Sequence, residues 1–199
     1  MSKHSEAVPP LRTGTTRKPA PGDLALVQGF VNTADLEDGT EDLADPQALE
    51  RWLVHYGLME SGGPLTPADV EQVRSVREAL RNVLMANNGA ELDPTAGDTL
   101  NAAAKTAELL VRFDRDDGGA QLVPVRGGVD GAIGRLLAIV ERAQCDGTWQ
   151  RFKACPDLEC GWAFYDWSKN RSATWCSMEV CGNRNKARTY RERHRGAPA

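Results

Sequence analysis

Residues 149–195 read WQRFKACPDLECGWAFYDWSKNRSATWCSMEVCGNRNKARTYRERHR, and the four cysteines in this stretch decide how the whole chain is organised. Cys155 and Cys160 enclose four residues, fifteen follow, and Cys176 and Cys181 enclose four more. Two short loops of equal length, each ending in a thiol at either side, are what a tetrahedral metal site needs from a segment too small for a core of its own. The spacing therefore predicts one structural Zn(2+) on Cys155, Cys160, Cys176 and Cys181. An iron–sulfur cluster on the same thiolates is the rival, separable by colour and metal content. Four cysteines packed as small hydrophobes are the plainer alternative. With all four positions filled by protein, no coordination site is left for substrate, and a catalytic metal is not expected.

Few aliphatic residues accompany the cysteines, so metal binding is expected to supply much of the local folding free energy. The rings of Trp149, Phe152, Trp162, Phe164, Tyr165, Trp167, Trp175 and Tyr190 are expected to pack around the metal as a substitute core. Stacking on unpaired bases is the alternative use for them.

Past Cys181 the sequence contains no proline and reads as a helix, with Arg184, Arg188, Arg191 and Arg195 recurring at helical spacing on one face. Lys186 adds charge, Asn183 could contact adenine, and Arg171 between the two cysteine pairs joins the candidate contacts. From residue 147 to residue 195 there are ten basic and five acidic side chains, whereas the rest of the chain carries fourteen and twenty-three. A basic tail on an acidic body, hidden under a net charge of −4, points to a polyanionic partner such as double-stranded DNA. An acidic protein surface, RNA, or a helix that is merely solvated are the competing readings.

Upstream, caps and apolar spacing predict a helical body. Leu24, Val27, Phe30 and Val31 mark a short first helix. Asp45-Pro46 opens a second that ends before Gly57, and Thr66-Pro67 opens a long third running to Asn87. Asp93-Pro94 starts a fourth. AELLVRF and AQLVPV flank DRDDGG as a β-hairpin, and Gly127-Gly128 leads into a last helix through Ile133, Leu136, Leu137 and Val140. The predicted class is α+β, mainly α: a helical body with one β-hairpin over residues 23–146, followed by a small treble-clef-like four-cysteine finger over 147–195. Residues 1–22, rich in proline and polar residues, are expected to form a flexible arm. No stretch approaches the roughly 18 apolar residues of a membrane span, and a cytoplasmic, nucleoid-associated protein is expected.

Nothing in the sequence assembles an enzyme site. His4 falls in the arm, His194 in the basic tail, and His55 stands alone on a helix. The acidic runs DGTEDLAD and DRDDGG lack the spacing of calcium loops. Cys145 lies outside the metal pattern and reads as an ordinary thiol near a helix end. Asn32 and Thr33 at the end of the first helix, with Arg77 and Arg81 on the long one, could line an effector pocket for an anion. The simpler expectation is a helix-terminal segment beside an exposed arginine row that includes Arg74.

Cys181-Gly182-Asn183-Arg184 reads CGNR, and with WQRFKAC and FYDWSKNRSATWCSMEV before it the stretch resembles the CGNR zinc finger along about 45 residues. LALVQGFVNTAD and VRSVREALRNVL are similar to the ABATE domain that precedes this finger, with Gln28-Gly29 in the place of a Leu-Asp type pair. The resemblance implies a stress-induced transcription regulator with zinc on the four cysteines and an N-terminal domain that senses a small-molecule effector. Expected partners are DNA, RNA polymerase or another DNA-bound regulator, and a second copy in a homodimer. The alternative is an adaptor that binds a protein surface through its finger.

Overall fold

The computed structural model describes residues 10–12, 18–116, 118–157 and 159–194. Among these residues six α-helices, α1 (Leu24–Val31), α2 (Pro46–His55), α3 (Pro67–Ala86), α4 (Pro94–Thr106), α5 (Gly128–Cys145) and α6 (Asn183–His194), are interspersed with three antiparallel strand pairs. The pairs are β1 (Ala34–Asp35) with β2 (Thr40–Glu41), β3 (Leu109–Phe113) with β4 (Ala120–Pro124), and β5 (Phe152–Ala154) with β6 (Ala163–Tyr165). The body thus holds the expected hairpin and a second one, β1–β2, whose two-residue strands are too short for period-two patterning to register.

Helix starts follow their caps. Asp45 accepts from the Ala48 N–H at 2.8 Å ahead of Pro46. Thr66 and Asp69 form a reciprocal capping box, the Asp69 carboxylate accepting from the Thr66 N–H at 2.6 Å, a device that stabilises a helix by about 1 kcal/mol. The stripe Val70, Val73, Val76, Leu80 and Leu84 is buried, and α3 forms the hub of the body, touching α1, α2, α4, α5 and β5. Phe30, Leu49, Leu53, Ile133 and Leu136 complete the centre of the core. At Gly134 a Cβ would stand 2.8 Å from Pro124 Cβ and 2.9 Å from Ala107 Cβ, so glycine is what lets the β3–β4 hairpin lie against α5. No helix among the described residues is long and apolar enough to cross a membrane.

Two expectations change here. Three described residues of the arm contact the body: Leu11 packs beside Gly29, Arg12 pairs with Asp42 at 2.8 Å, and the Ala20 N–H donates to Gln28. His4 and the remainder of residues 1–9 and 13–17 lie outside the described residues. The arginine row of α3 is not exposed. Arg77 and Arg81 are 4% and 3% exposed, because carboxylates and carbonyls on β2, α1 and α3 itself supply the partners that a buried guanidinium requires.

The finger shares the core of the body. Phe152, Ala154, Ala163 and Tyr165 of the β5–β6 pair, with Trp149 before it, pack in the same apolar cluster as α1, α3 and α5. Polar side chains of the helices grip the backbone of this hairpin. Asn87 donates to the Trp149 and Phe152 carbonyls, Asn88 to those of Ala154 and Thr174, and Gln28 to that of Ala163. Only Phe164, with Trp162 and Trp175, packs on the cysteines, whereas Trp167 and Tyr190 stay exposed. The substitute core expected of eight rings is therefore divided between the body and the metal site.

Candidate metal centre and basic helix

The first cysteine pair caps the β5–β6 hairpin. The Cys155 N–H donates to the Trp162 carbonyl at 2.9 Å, extending the ladder, and the Asp157 carbonyl accepts from the N–H groups of Cys160 and Gly161. Gly161, at φ +59°, turns the chain out of this loop toward β6. The second pair lies at the root of α6. The Ser177 side chain accepts from the Val180 N–H, and one wide helical turn over Met178–Gly182 carries Cys181 back beside Cys176 before α6 begins at Asn183.

All four sulfurs lie within 4.8 Å of one another, with Cys160 and Cys176 at 3.4 Å and Cys176 and Cys181 at 3.6 Å. A tetrahedron with metal–sulfur bonds of about 2.3 Å has edges of about 3.8 Å, so one ion fits between them. Hydrogen bonds from Cys160 and Cys176 hold the Cys155 thiol well below the ordinary thiol range. The Cys155 sulfur in turn raises the thiols of Cys160 and Cys176, and burial raises that of Cys181. A divalent cation among the four sulfurs favours their thiolate forms. Cys145 is exposed and its thiol donates to Glu141 at 3.1 Å, apart from the cluster.

The candidate contacts to nucleic acid fall into two groups. Lys186 and Arg191 are exposed and Arg188 is half-buried; with Arg193 they pair with no carboxylate among the described residues. Arg171 is exposed in a left-handed turn, φ +55°, where its carbonyl accepts from the Lys153 ammonium. Asn183 is exposed, but its amide donates to the Glu179 carbonyl. Arg184 differs from the others: its guanidinium meets Glu37 at 2.5 Å, Glu159 at 3.1 Å and Asp157 at 3.6 Å. Arg195 lies outside the described residues.

Asn32, Thr33, Arg77 and Arg81 do meet, where α1, α3 and the β1–β2 hairpin converge. All four are buried and held by protein groups rather than lining an open cavity. Arg77 donates to Thr33 Oγ1 at 3.1 Å and pairs with Glu41 at 2.7 Å and Glu78 at 2.9 Å. Arg81 pairs with Glu78 and donates to the carbonyls of Val31, at 2.6 Å, and Gly161, at 3.2 Å. Asn32 pairs with the backbone of Ala163. The two carboxylates compensate the two guanidinium charges at this junction, and Arg81 ties α3 to the turn between the first cysteine pair and β6. His55 is exposed, edge-on to Tyr56.

Sequence reasoning missed Lys153 and Asp166. Their buried pair at 2.9 Å, with the Arg171 and Ala173 carbonyls also accepting from Lys153, fixes the loop that leads to Cys176. A lysine in a three-residue strand is the only local trace of it.

Residues 22–145 match the ABATE family, described as "Putative stress-induced transcription regulator", and residues 151–194 match the CGNR zinc finger. No curated protein matches the chain. The finger match identifies the ion held by the four cysteines as one zinc.

Proposed function

The chain belongs to the ABATE family and closes on a CGNR zinc finger, and from that premise we propose that it regulates transcription by binding double-stranded DNA through α6. One observation carries this reading: Lys186, Arg188, Arg191 and Arg193 project from a helix rooted directly in the four-cysteine site, and none has a carboxylate partner among the described residues. Unpaired cations on a rigid rod are what phosphates recruit, and arginine adds the planar fork that reads guanine edges in the major groove. Zinc fixes the start of that rod. Exposed Arg171 extends the basic surface toward the loop between the cysteine pairs. The acidic body limits adherence to nonspecific DNA.

The test is anisotropy of a labelled duplex with the zinc-loaded full chain, titrated from low to physiological salt. Engagement of all four cations gives a log–log slope of about −3.6, and Arg188→Ala makes it shallower by about 0.9. No binding at about 50 mM salt would end the DNA reading and leave the finger as an adaptor for an acidic protein surface.

A further inference from the structure

Arg184 opens the basic face of α6, yet it is surrounded by acid. Glu37 comes from the turn joining β1 and β2, where the Asp35 carboxylate accepts from the N–H groups of Glu37 and Asp38 and so orders the turn. Asp157 and Glu159 come from the loop between the first two cysteines. Asp157 is fully buried, and its Oδ2 has no hydrogen-bond partner. The Arg184 Nε, at 3.6 Å, is the cation that faces this oxygen. A buried carboxylate is costly without a compensating charge, so the arginine is bound to its place by what its departure would leave behind.

We propose that Arg184 is a positioning residue, not a phosphate ligand: it keys the first turn of α6 to the body through Glu37 and to the zinc loop through Asp157 and Glu159. Three carboxylates against one guanidinium leave this end of the helix locally negative, which repels the DNA backbone rather than attracting it. Should Arg184 swing out to a phosphate, all three acids would be left without it. Its contribution is the angle at which Arg188 and Arg191 are presented. The proposal rests on α6 being the DNA-contacting element, but the key itself is defined without DNA.

The experiment compares Arg184→Ala with Arg188→Ala in the full-length zinc-loaded chain, by DNA anisotropy across salt and by amide hydrogen exchange without DNA. For Arg184→Ala we expect weaker binding with the wild-type salt slope, and faster exchange over residues 181–188. Arg188→Ala should lower the slope by about 0.9 and leave exchange unchanged. A slope lowered by about 0.9 in Arg184→Ala with wild-type exchange overturns the proposal. If wild-type protein binds no duplex, the DNA reading fails, and exchange alone decides the key: faster in Arg184→Ala supports it, unchanged refutes it. Should Arg184→Ala not fold, Glu37→Gln removes the body arm alone and is expected to quicken exchange over the same residues. The neutral pair Asp157→Asn with Arg184→Gln should restore folding but not the wild-type exchange, whereas full restoration of both refutes the charge-based key.

Discussion

Asn32 at the end of α1 pairs with both backbone groups of Ala163 in β6: its Oδ1 accepts from the Ala163 N–H at 2.7 Å and its Nδ2 donates to the Ala163 carbonyl at 3.0 Å. One amide side chain thereby continues the β5–β6 ladder into the helical body across 131 residues of sequence. With Arg81 on the Gly161 carbonyl and Asn87 and Asn88 on β5, it makes the zinc-bearing hairpin part of the body rather than an appendage.

Asn32→Ala strands the N–H of a 1%-exposed residue and removes a bond to the Arg12 carbonyl as well. Unsatisfied buried donors cost about 1–3 kcal/mol each, so urea denaturation should show a loss of about 2–3 kcal/mol. Asn32→Asp should fare worse, because a carboxylate meets two carbonyls where the amide donated. A loss under about 0.5 kcal/mol, as for a surface change, would mean the pairing is not made.

Thiol chemistry reports the metal centre. Glu141 raises the Cys145 thiol by accepting from it, which keeps it protonated and slow to react at neutral pH. In zinc-loaded native protein one thiol should react with an aromatic disulfide reagent, slowly, and five should react after chelation and denaturation. Cys145→Ser should leave one zinc per chain and no accessible thiol. Rapid labelling of a second cysteine while zinc is bound would contradict the closed site.

Much of this was legible in the sequence because its cause is local. Asp45-Pro46, Thr66-Pro67 and Asp93-Pro94 each announce a helix within four residues, and the repeated cysteine spacing announces the metal site. The union of body and finger was not legible. It depends on amides and guanidinium groups of α1, α3 and their C-caps reaching backbone atoms 62 to 135 residues away, and an asparagine at a helix end gives no sign of which carbonyl it will meet. The same holds for Arg184, indistinguishable in spacing from Arg188 and Arg191 until the fold brings Glu37 to it.

Asp166 gives the pH dependence its sign. Burial would raise its carboxyl, but hydrogen bonds from Ser168, Lys153 and Ala173 prevail and hold it down to about 2, below the ordinary 3.8. The unfolded chain therefore binds the extra proton. The stabilisation is complete above about pH 4 and is lost as pH falls through about 2, amounting to about 2 kcal/mol. Asp166→Asn leaves Lys153 buried without its anion and should cost about 3 kcal/mol at pH 7, the deficit narrowing between about pH 4 and 2. Zinc content measured beside each denaturation curve separates the part of the difference that comes from release of the ion from the part that belongs to this carboxyl. A deficit constant down to pH 2 would assign the effect to packing.

Gly161 tests whether the turn between the first cysteine pair and β6 is keyed to the body. Its φ of +59° disfavours any side chain, and an added Cβ would lie 2.8 Å from Leu36 Cδ1 and 3.3 Å from Arg81 Cδ. Alanine here combines the left-handed backbone cost of about 1 kcal/mol with displacement of a buried arginine that also holds the Val31 carbonyl. Gly161→Ala should lower stability by about 2 kcal/mol and raise the rate of zinc release to a chromogenic chelator. Because Leu36 and Arg81, the side chains that must give way, both belong to the body, the melting of the whole chain should shift as one transition. A variant that loses zinc faster while the body melts at the wild-type temperature would show that the two halves are not mechanically joined at this glycine.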